Sequence, residues 1–459
     1  PARLLGLATA GLLVVLWLQT VWPQISWDSA AYHLTVPRLY LEHGGFRRIP
    51  FNVYSNWPLN TQLLYAMAQM VGDHVLAKSV HFAFGAATLL TVYRIVGSRS
   101  AGWVAWLGAA LFLANPVVLD EMRAAYVDLA HAFFFLVAFL FVHFALEAAG
   151  DSRLRLLLAG VFAGVAAGIK PMGIIGLVCL LVLFLVVSLR RRSPSVEVMA
   201  GLARILVPAG LVLAPWVVKT WVLTGNPAYP FLFAAFGGPE WSLELGRQFR
   251  EWQQGMGMGR GWADYLLLPY RIAVEGGPGY DHFDGRILPI WLGLVPLALV
   301  MVRRQILIAR SLGVAGLYFI FWALSSQQMR FLIPALPLLA IAASLAVFEL
   351  SRSASVRVEP IMRWGTSLMV LAWLVLIIGT QARPTGAMLR QYLEQGREVR
   401  SSIIHPVFEF INGQLPADAK LMFLNTNHGF FCHREYIADS FFEASQINAL
   451  LQEANGLDD

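Results

Sequence analysis

Apolar runs of bilayer-crossing length punctuate this chain near 4–22, 75–95, 102–119, 125–148, 154–170, 173–189, 203–223, 287–302, 306–324, 331–350 and 364–380. A spanning helix needs about 20 such residues to cross about 30 Å of hydrocarbon. In lipid, only a helix or a closed barrel satisfies its own backbone. The runs therefore predict an α-helical polytopic membrane protein with about 11 transmembrane helices. The run 154–170 carries Gly160, Gly164 and Gly168 at helical spacing, which suits close packing. Composition agrees: 58% of the 459 residues are hydrophobic and 14% are charged, against about 25% charged in soluble proteins.

Charge sets an orientation. If the N-terminus is inside, the inner loops hold Arg94, Arg99, Arg153, Arg155, Arg190 to Arg192, Arg204, Arg303, Arg304, Arg310, Arg352, Arg357 and Arg363. The short outer turns hold only Arg123, Lys170 and Arg330. Basic residues favour the cytoplasmic side, so Asp28, the Asp120–Glu121 turn, Lys170, the loop 224–286, Arg330 and the tail share the outer face. The net charge of +6 reflects this topology and contact with anionic lipid, not nucleic acid. Arg3 and the first apolar run imitate a signal peptide, but no small-residue cleavage site follows, and the run reads as a retained helix. Cys179 and Cys432 lie in an apolar run and a polar tail, so no disulfide is expected.

The predicted division is a transmembrane domain over 1–380, with outer loops 23–74 and 224–286, and a small extracytoplasmic α/β domain over 381–459. In the first loop an interfacial helix runs from about Asp28 to Glu42, bent by Pro37 and stopped by Gly44–Gly45. A second short helix covers about 60–71. The loop 224–286 is too long for a passive connection, and its glycine run 255–261 reads as flexible. In the tail, 385–400 and 404–413 read as amphipathic helices and Lys420 to Asn425 as a buried strand.

Acids near the bilayer are costly unless solvated or paired, which marks Asp28, and Asp128 one turn inside the run 125–148, as functional candidates. Each candidate also has a plain structural account. Asp28 is a favoured N-cap residue type, Asp120–Glu121 sits in a turn where acids are common, and Lys170 and Arg330 are placed to reach the interface from helix ends. His131 and His143 read as packed histidines. Together the residues carry a sharper message: carboxylates able to take a proton face the cations Lys170, Lys219 and Arg330, the groups a lipid-linked phosphate requires. Neither HExxH nor GxSxG occurs.

In this order and spacing the motifs resemble those of the GT-C superfamily of polyprenyl-phosphate-dependent glycosyltransferases, nearest to protein O-mannosyltransferases and the lipid A aminoarabinose transferase. Asp28 with Tyr32 and His33 resembles the first-loop motif, and the stretch from Arg123 to Asp128 and on through Phe133 resembles the second-loop stretch with its acid. Gly168-Ile-Lys170-Pro171 resembles the segment whose lysine meets the donor phosphate; Thr224 to Pro230 and Gln328 to Pro334 are similar to further landmarks. The resemblance implies a glycosyltransferase of a bacterial inner membrane that moves a sugar from a polyprenyl-phosphate donor to a lipid, glycan or protein acceptor. Asp28 is then the base, and Lys170 and Arg330 hold the phosphate. Asp128, Asp120, Glu121, Tyr32 and His33 position the acceptor or a divalent cation, the one candidate cofactor. Several members have a second acid after the first-loop aspartate, where this chain has Ser29. That departure keeps open a catalytically silent scaffold of a larger membrane complex; a transporter fits less well, since no repeat-related halves are visible.

Overall fold

The computed structural model describes residues 1–22, 26–355, 358–395 and 406–439. Its α-helices begin with α1 (Ala2–Gln19), α2 (Thr35–Glu42), α3 (Asn60–Val71), α4 (His74–Gly97), α5 (Gly102–Leu113) and α6 (Pro116–Glu121). There follow α7 (Asp128–Glu147), α8 (Arg153–Ala167), α9 (Gly173–Arg190), α10 (Ser195–Thr224), α11 (Phe233–Phe236), α12 (Leu243–Gln254) and α13 (Trp262–Tyr270). The last are α14 (Trp291–Val300), α15 (Ile306–Leu324), α16 (Leu336–Ser353), α17 (Val358–Gln395) and, past a gap in the description, α18 (Pro406–Gln414). Strands β1 (Lys420–Phe423) and β2 (Glu435–Ala438) pair in parallel.

Among the described residues eight helical segments are long and apolar enough to cross a bilayer, and the chain is an integral membrane protein. The expected runs 102–119, 154–170 and 287–302 form the shorter helices α5, α8 and α14, of 12, 15 and 10 residues. At 1.5 Å per residue they are about 18, 22 and 15 Å long, short of the bilayer's hydrocarbon. Local chemistry ends each one early. Asn115 turns its amide back onto the Leu111 and Phe112 carbonyls at 2.6 and 3.0 Å, closing α5. Its oxygen accepts from Leu288 N–H and Trp291 Nε1 at 3.2 and 2.7 Å, which pins α14 beside that end. Helix α8 stops at Gly168, three residues before Pro171.

The bundle is built around α7 and the segment Met329–Ser353, the most deeply buried of the spans. Helix α8 lies between α7 and α10. A Cβ on Gly164 would meet the Ala209 carbonyl oxygen of α10 at 2.7 Å, so glycine here sets how close the two backbones come. His131 and His143 are packed on α7, facing Tyr318 and bonded to Arg310 respectively. Both cysteines are free.

Three expectations change. The first-loop helix does not bend at Pro37; the break is at Leu34, where a π-helical turn over Ser29–His33 hands over to α2. Pro37 falls in the first turn of α2, where a missing N–H costs nothing. The stop at Gly44 stands: it has φ +70°, and Gly45 N–H bonds back to the Tyr40 carbonyl at 2.9 Å. The run 364–380 and the start of the helix expected over 385–400 are one helix, α17, with Pro384 inside it. The end of that expected helix lies outside the described residues. The strand expected to be buried is partly exposed, with Lys420 open to solvent. The tail shares a hydrophobic cluster with the first loop, in which Ile411, Cys432, Tyr436 and Ala438 join Val36, Leu39, Ile49 and Phe51.

Candidate active site

The chain ends of the spans bring the sequence candidates to one place. The π-helical turn puts Tyr32 over Asp28, and the Tyr32 hydroxyl donates to Asp28 Oδ2 at 2.8 Å. Such turns often mark functional sites. Asp28 makes no capping hydrogen bond to the turn it begins. Its other partner is the Arg330 guanidinium, 302 positions along the chain, in a salt bridge. The plain capping account of Asp28 therefore fails.

Arg330 sits in a 3-10 turn, Met329–Ala335, that leads into α16. Helix α15 fixes that turn: Trp322 Nε1 donates to the Gln328 carbonyl at 2.8 Å and the Tyr318 hydroxyl to the Phe331 carbonyl at 3.1 Å. The guanidinium lies over the Tyr126 ring, 4.8 Å from its centroid, and beside Phe331 at 5.2 Å. Its Nε is buried and has no hydrogen-bond partner among the described residues.

A second pair mirrors the first. Lys170, in the tight turn between α8 and α9, places Nζ 2.5 Å from Asp128 Oδ1. Asp128 is the first residue of α7, where a carboxylate also meets the positive end of the helix dipole. Lys170 Nζ stands 4.0 Å from the Phe331 centroid, so that one ring is flanked by both cations. Lys170 and Arg330 line the same small cavity of about 40 Å³, together with Tyr32, His33, Tyr54 and Gln62.

Electrostatics separates the groups outside the spans. Burial alone would raise the Asp28 carboxyl, but the Arg330 guanidinium and the Tyr32 hydroxyl outweigh it and hold it below the usual carboxylate range. Burial drives His33 down to about 3, and Gln62 Nε2 lies 2.9 Å from His33 Nδ1, so the ring is neutral and acts as a hydrogen-bonding wall. Burial, with Asp128 adding to it, pushes Glu121 well above the ordinary range. Burial lowers Lys170 against the pull of Asp128.

Other candidates land elsewhere. Asp120 is exposed and paired with Arg123. Glu121 is buried, 3.9 Å from His81 Nε2. Both line a larger cavity of about 620 Å³ that also includes Arg330, Tyr126, Lys78 and Asp284. Lys219, grouped in the sequence with the site cations, donates instead to the Ser55 and Trp57 carbonyls at 2.6 and 3.3 Å, so it fastens the first loop. The glycine run expected to be flexible is fastened: Arg260 donates to the Ala323 carbonyl at 2.7 Å, Arg271 to the Met258 carbonyl at 2.8 Å, and Met256 is buried. Tyr126, Phe331 and Gln62 belong to the site and were not singled out in the sequence. The aromatic next to Arg330 was the one available signal.

The comparisons with known proteins address the chain as a whole. Residues 70–336, more than half of it, match the family described as a domain of unknown function, DUF8201. The chain belongs to the DUF8201 family. No curated protein matches this DUF8201 chain. Among solved structures, ArnT from Cupriavidus metallidurans in the apo state superimposes with a TM-score of 0.67 at 16% identity, covering 96% of this chain and 86% of that one. The same protein bound to undecaprenyl phosphate gives 0.64 at 16% identity, over 97% and 87%. The archaeal oligosaccharyltransferase AglB from Archaeoglobus fulgidus, in complex with an inhibitory peptide and a dolichol-phosphate, gives 0.52 at 14% identity, over 95% of this chain and 65% of that one. This DUF8201 member has the GT-C fold.

Proposed function

We propose that the chain transfers a sugar from a polyprenyl-phosphate donor to an acceptor on the outer face of a bacterial inner membrane. The observation that carries this reading is the pair of cations, Lys170 and Arg330, both beside the Phe331 ring and lining one cavity. Each is balanced by one carboxylate, and Arg330 Nε is a buried donor with no partner among the described residues. A phosphate is the ligand that uses such donors best. That the superimposed ArnT is a complex with undecaprenyl phosphate supports the assignment.

In this reaction an acceptor X–H attacks the anomeric carbon of the donor sugar from the face opposite the phosphate. The X–H bond breaks towards Asp28, a bond forms between X and the anomeric carbon, and the bond to the phosphate oxygen breaks, with inversion. Polyprenyl phosphate leaves with the charge that Lys170 and Arg330 neutralise as it develops. Held by Arg330, Asp28 is a weak base; a donor phosphate that draws the guanidinium to itself frees the carboxylate when it is needed. Tyr32 keeps its orientation. The donor set does not fit a divalent cation at these acids, since Asp28 and Asp128 are each neutralised by a cation of the chain itself.

The test is Asp28→Asn in purified protein supplied with a polyprenyl-phosphate sugar labelled in the sugar. Asn keeps the size and one acceptor oxygen but cannot take a proton. Release of label from the lipid falls by about a hundred- to ten-thousand-fold. Release at the wild-type rate overturns the assignment.

A further inference from the structure

The 620 Å³ cavity is within the range of small-molecule sites, and Arg330 and Tyr126 join it to the paired charges of the site. Among the described residues each cation in its wall has a partner, and one buried amide oxygen in that wall has none. Lys78 Nζ donates to the Trp22 carbonyl at 2.7 Å, Arg123 pairs with Asp120, and Arg330 pairs with Asp28. One oxygen, Gln19 Oε1, is buried and has no hydrogen-bond partner among the described residues. Gln19 is 8% exposed and lines the cavity.

The orientation of Gln19 follows from its neighbours. The Thr385 hydroxyl gives its proton to the Gln381 carbonyl at 2.6 Å, so towards Gln19 it can only accept. Gln19 Nε2 therefore donates to it at 2.8 Å, and to Gln381 Oε1 at 3.0 Å. That leaves the amide oxygen of Gln19 for something else. Buried acceptors without donors cost about 1–3 kcal/mol each, and such an arrangement persists where a ligand or ordered water supplies the protons.

We propose that this cavity holds the acceptor, and that the acceptor is an uncharged polyhydroxylated molecule of sugar type. The proposal rests on the glycosyl-transfer reading above. A hydroxyl group supplies the donor that Gln19 lacks, and Trp22 and Tyr126 in the same wall are aromatic neighbours of the kind that suit a sugar ring. An anionic acceptor, such as a phosphorylated lipid, meets the acids Asp120 and Asp284 in the same wall. An extended peptide leaves its own backbone donors and acceptors to be matched by a wall of side chains.

The experiment uses the whole protein in lipid nanodiscs with a polyprenyl-phosphate sugar and three probe acceptors of equal chain length: an alkyl glycoside, an alkyl phosphate and an acylated tripeptide. The expected result is transfer to the glycoside in preference to the other two. In Gln19→Leu the KM for the glycoside rises about tenfold, the size of one lost hydrogen bond, with a smaller change in kcat. Preference for the phosphate or the peptide overturns the proposal, and so does an unchanged KM. The wild-type panel needs no variant and stands even if Gln19→Leu misfolds. Cleavage of the donor by water, with every glycoside refused, overturns the acceptor class alone. No cleavage of the donor under any condition overturns the glycosyl-transfer reading with it.

Discussion

Replacing Lys170 by Met removes one member of the pair on which donor binding is proposed to rest. At 2.5 Å and an effective dielectric of about 20, the attraction between Lys170 and Asp128 is roughly 7 kcal/mol. Desolvating each ion costs several kcal/mol, so the intact pair contributes little net stability. Taking away one partner is a different matter, because it leaves Asp128, whose side chain is 1% exposed, with an uncompensated charge. Lys170→Met is expected to destabilise by about 3–5 kcal/mol, and Lys170→Met with Asp128→Leu to recover most of that loss. Thermal unfolding of the detergent-purified protein reads both. The same samples, titrated with a polyprenyl phosphate, separate folding from binding. At about 100 times its Kd the lipid stabilises wild type by about 2.7 kcal/mol, and it does nothing for the double variant, however well that variant folds. A double variant stabilised by the lipid as wild type is, or a single variant as stable as wild type, refutes the reasoning.

Further outcomes follow from the same structure. His33 is neutral in the folded state, with a pKa near 3 against 6.5 unfolded, so the unfolded chain takes up a proton first as pH falls. Its contribution is complete above about 6.5 and is lost below; wild type should therefore lose more Tm between pH 7.5 and 5 than His33→Gln does, and equal losses contradict the assignment. Gly164→Leu should drive α8 from α10 and lower both the yield of folded protein and its Tm, whereas Gly313→Leu, with open space around it, should not. A reporter fused after Asp459 should be extracytoplasmic; a cytoplasmic reporter overturns the proposed orientation, though not the meeting of Asp28 with Arg330.

What could be read in the sequence was what periodicity and short-range spacing carry. Apolar runs marked the helices because lipid demands them, and Asp28 to Tyr32 is one turn, visible without a structure. Lys170 beside Pro171 was conspicuous as a cation at the end of an apolar run. Pairing was invisible: nothing local in the chain couples Asp28 to Arg330 or Lys170 to Asp128. Lys219 looked like its fellow cations and proved to be a fastener, because only the fold decides which carbonyls surround an ammonium. Glu121 looked like an ordinary turn acid, since burial cannot be read from a six-residue helix. Helix α17 continues through Pro384, although the apolar run ends at 380 and a separate helix was expected from 385. The tail's attachment was likewise hidden, because its strands are short and its contacts are to a segment nearly the whole chain away.

That attachment has a consequence in time. Arg38 donates to the Phe430 and Gly429 carbonyls, Asn427 Nδ2 reaches the Phe51 carbonyl at 3.1 Å, and His428 meets Trp27 edge-on. Phe51 and Asn427 are 376 positions apart. At about 5–20 residues per second, the ribosome needs roughly 20 to 75 s to make the second after the first. Throughout that interval the loop that carries Asp28 is without the tail segment that packs on it. Arg330 arrives late in the same interval and the tail later still, so the ion pair with Asp28 and the tail's packing on the first loop both form late in synthesis. Under the proposed function, donor binding therefore waits until Arg330 has been made and has met Asp28.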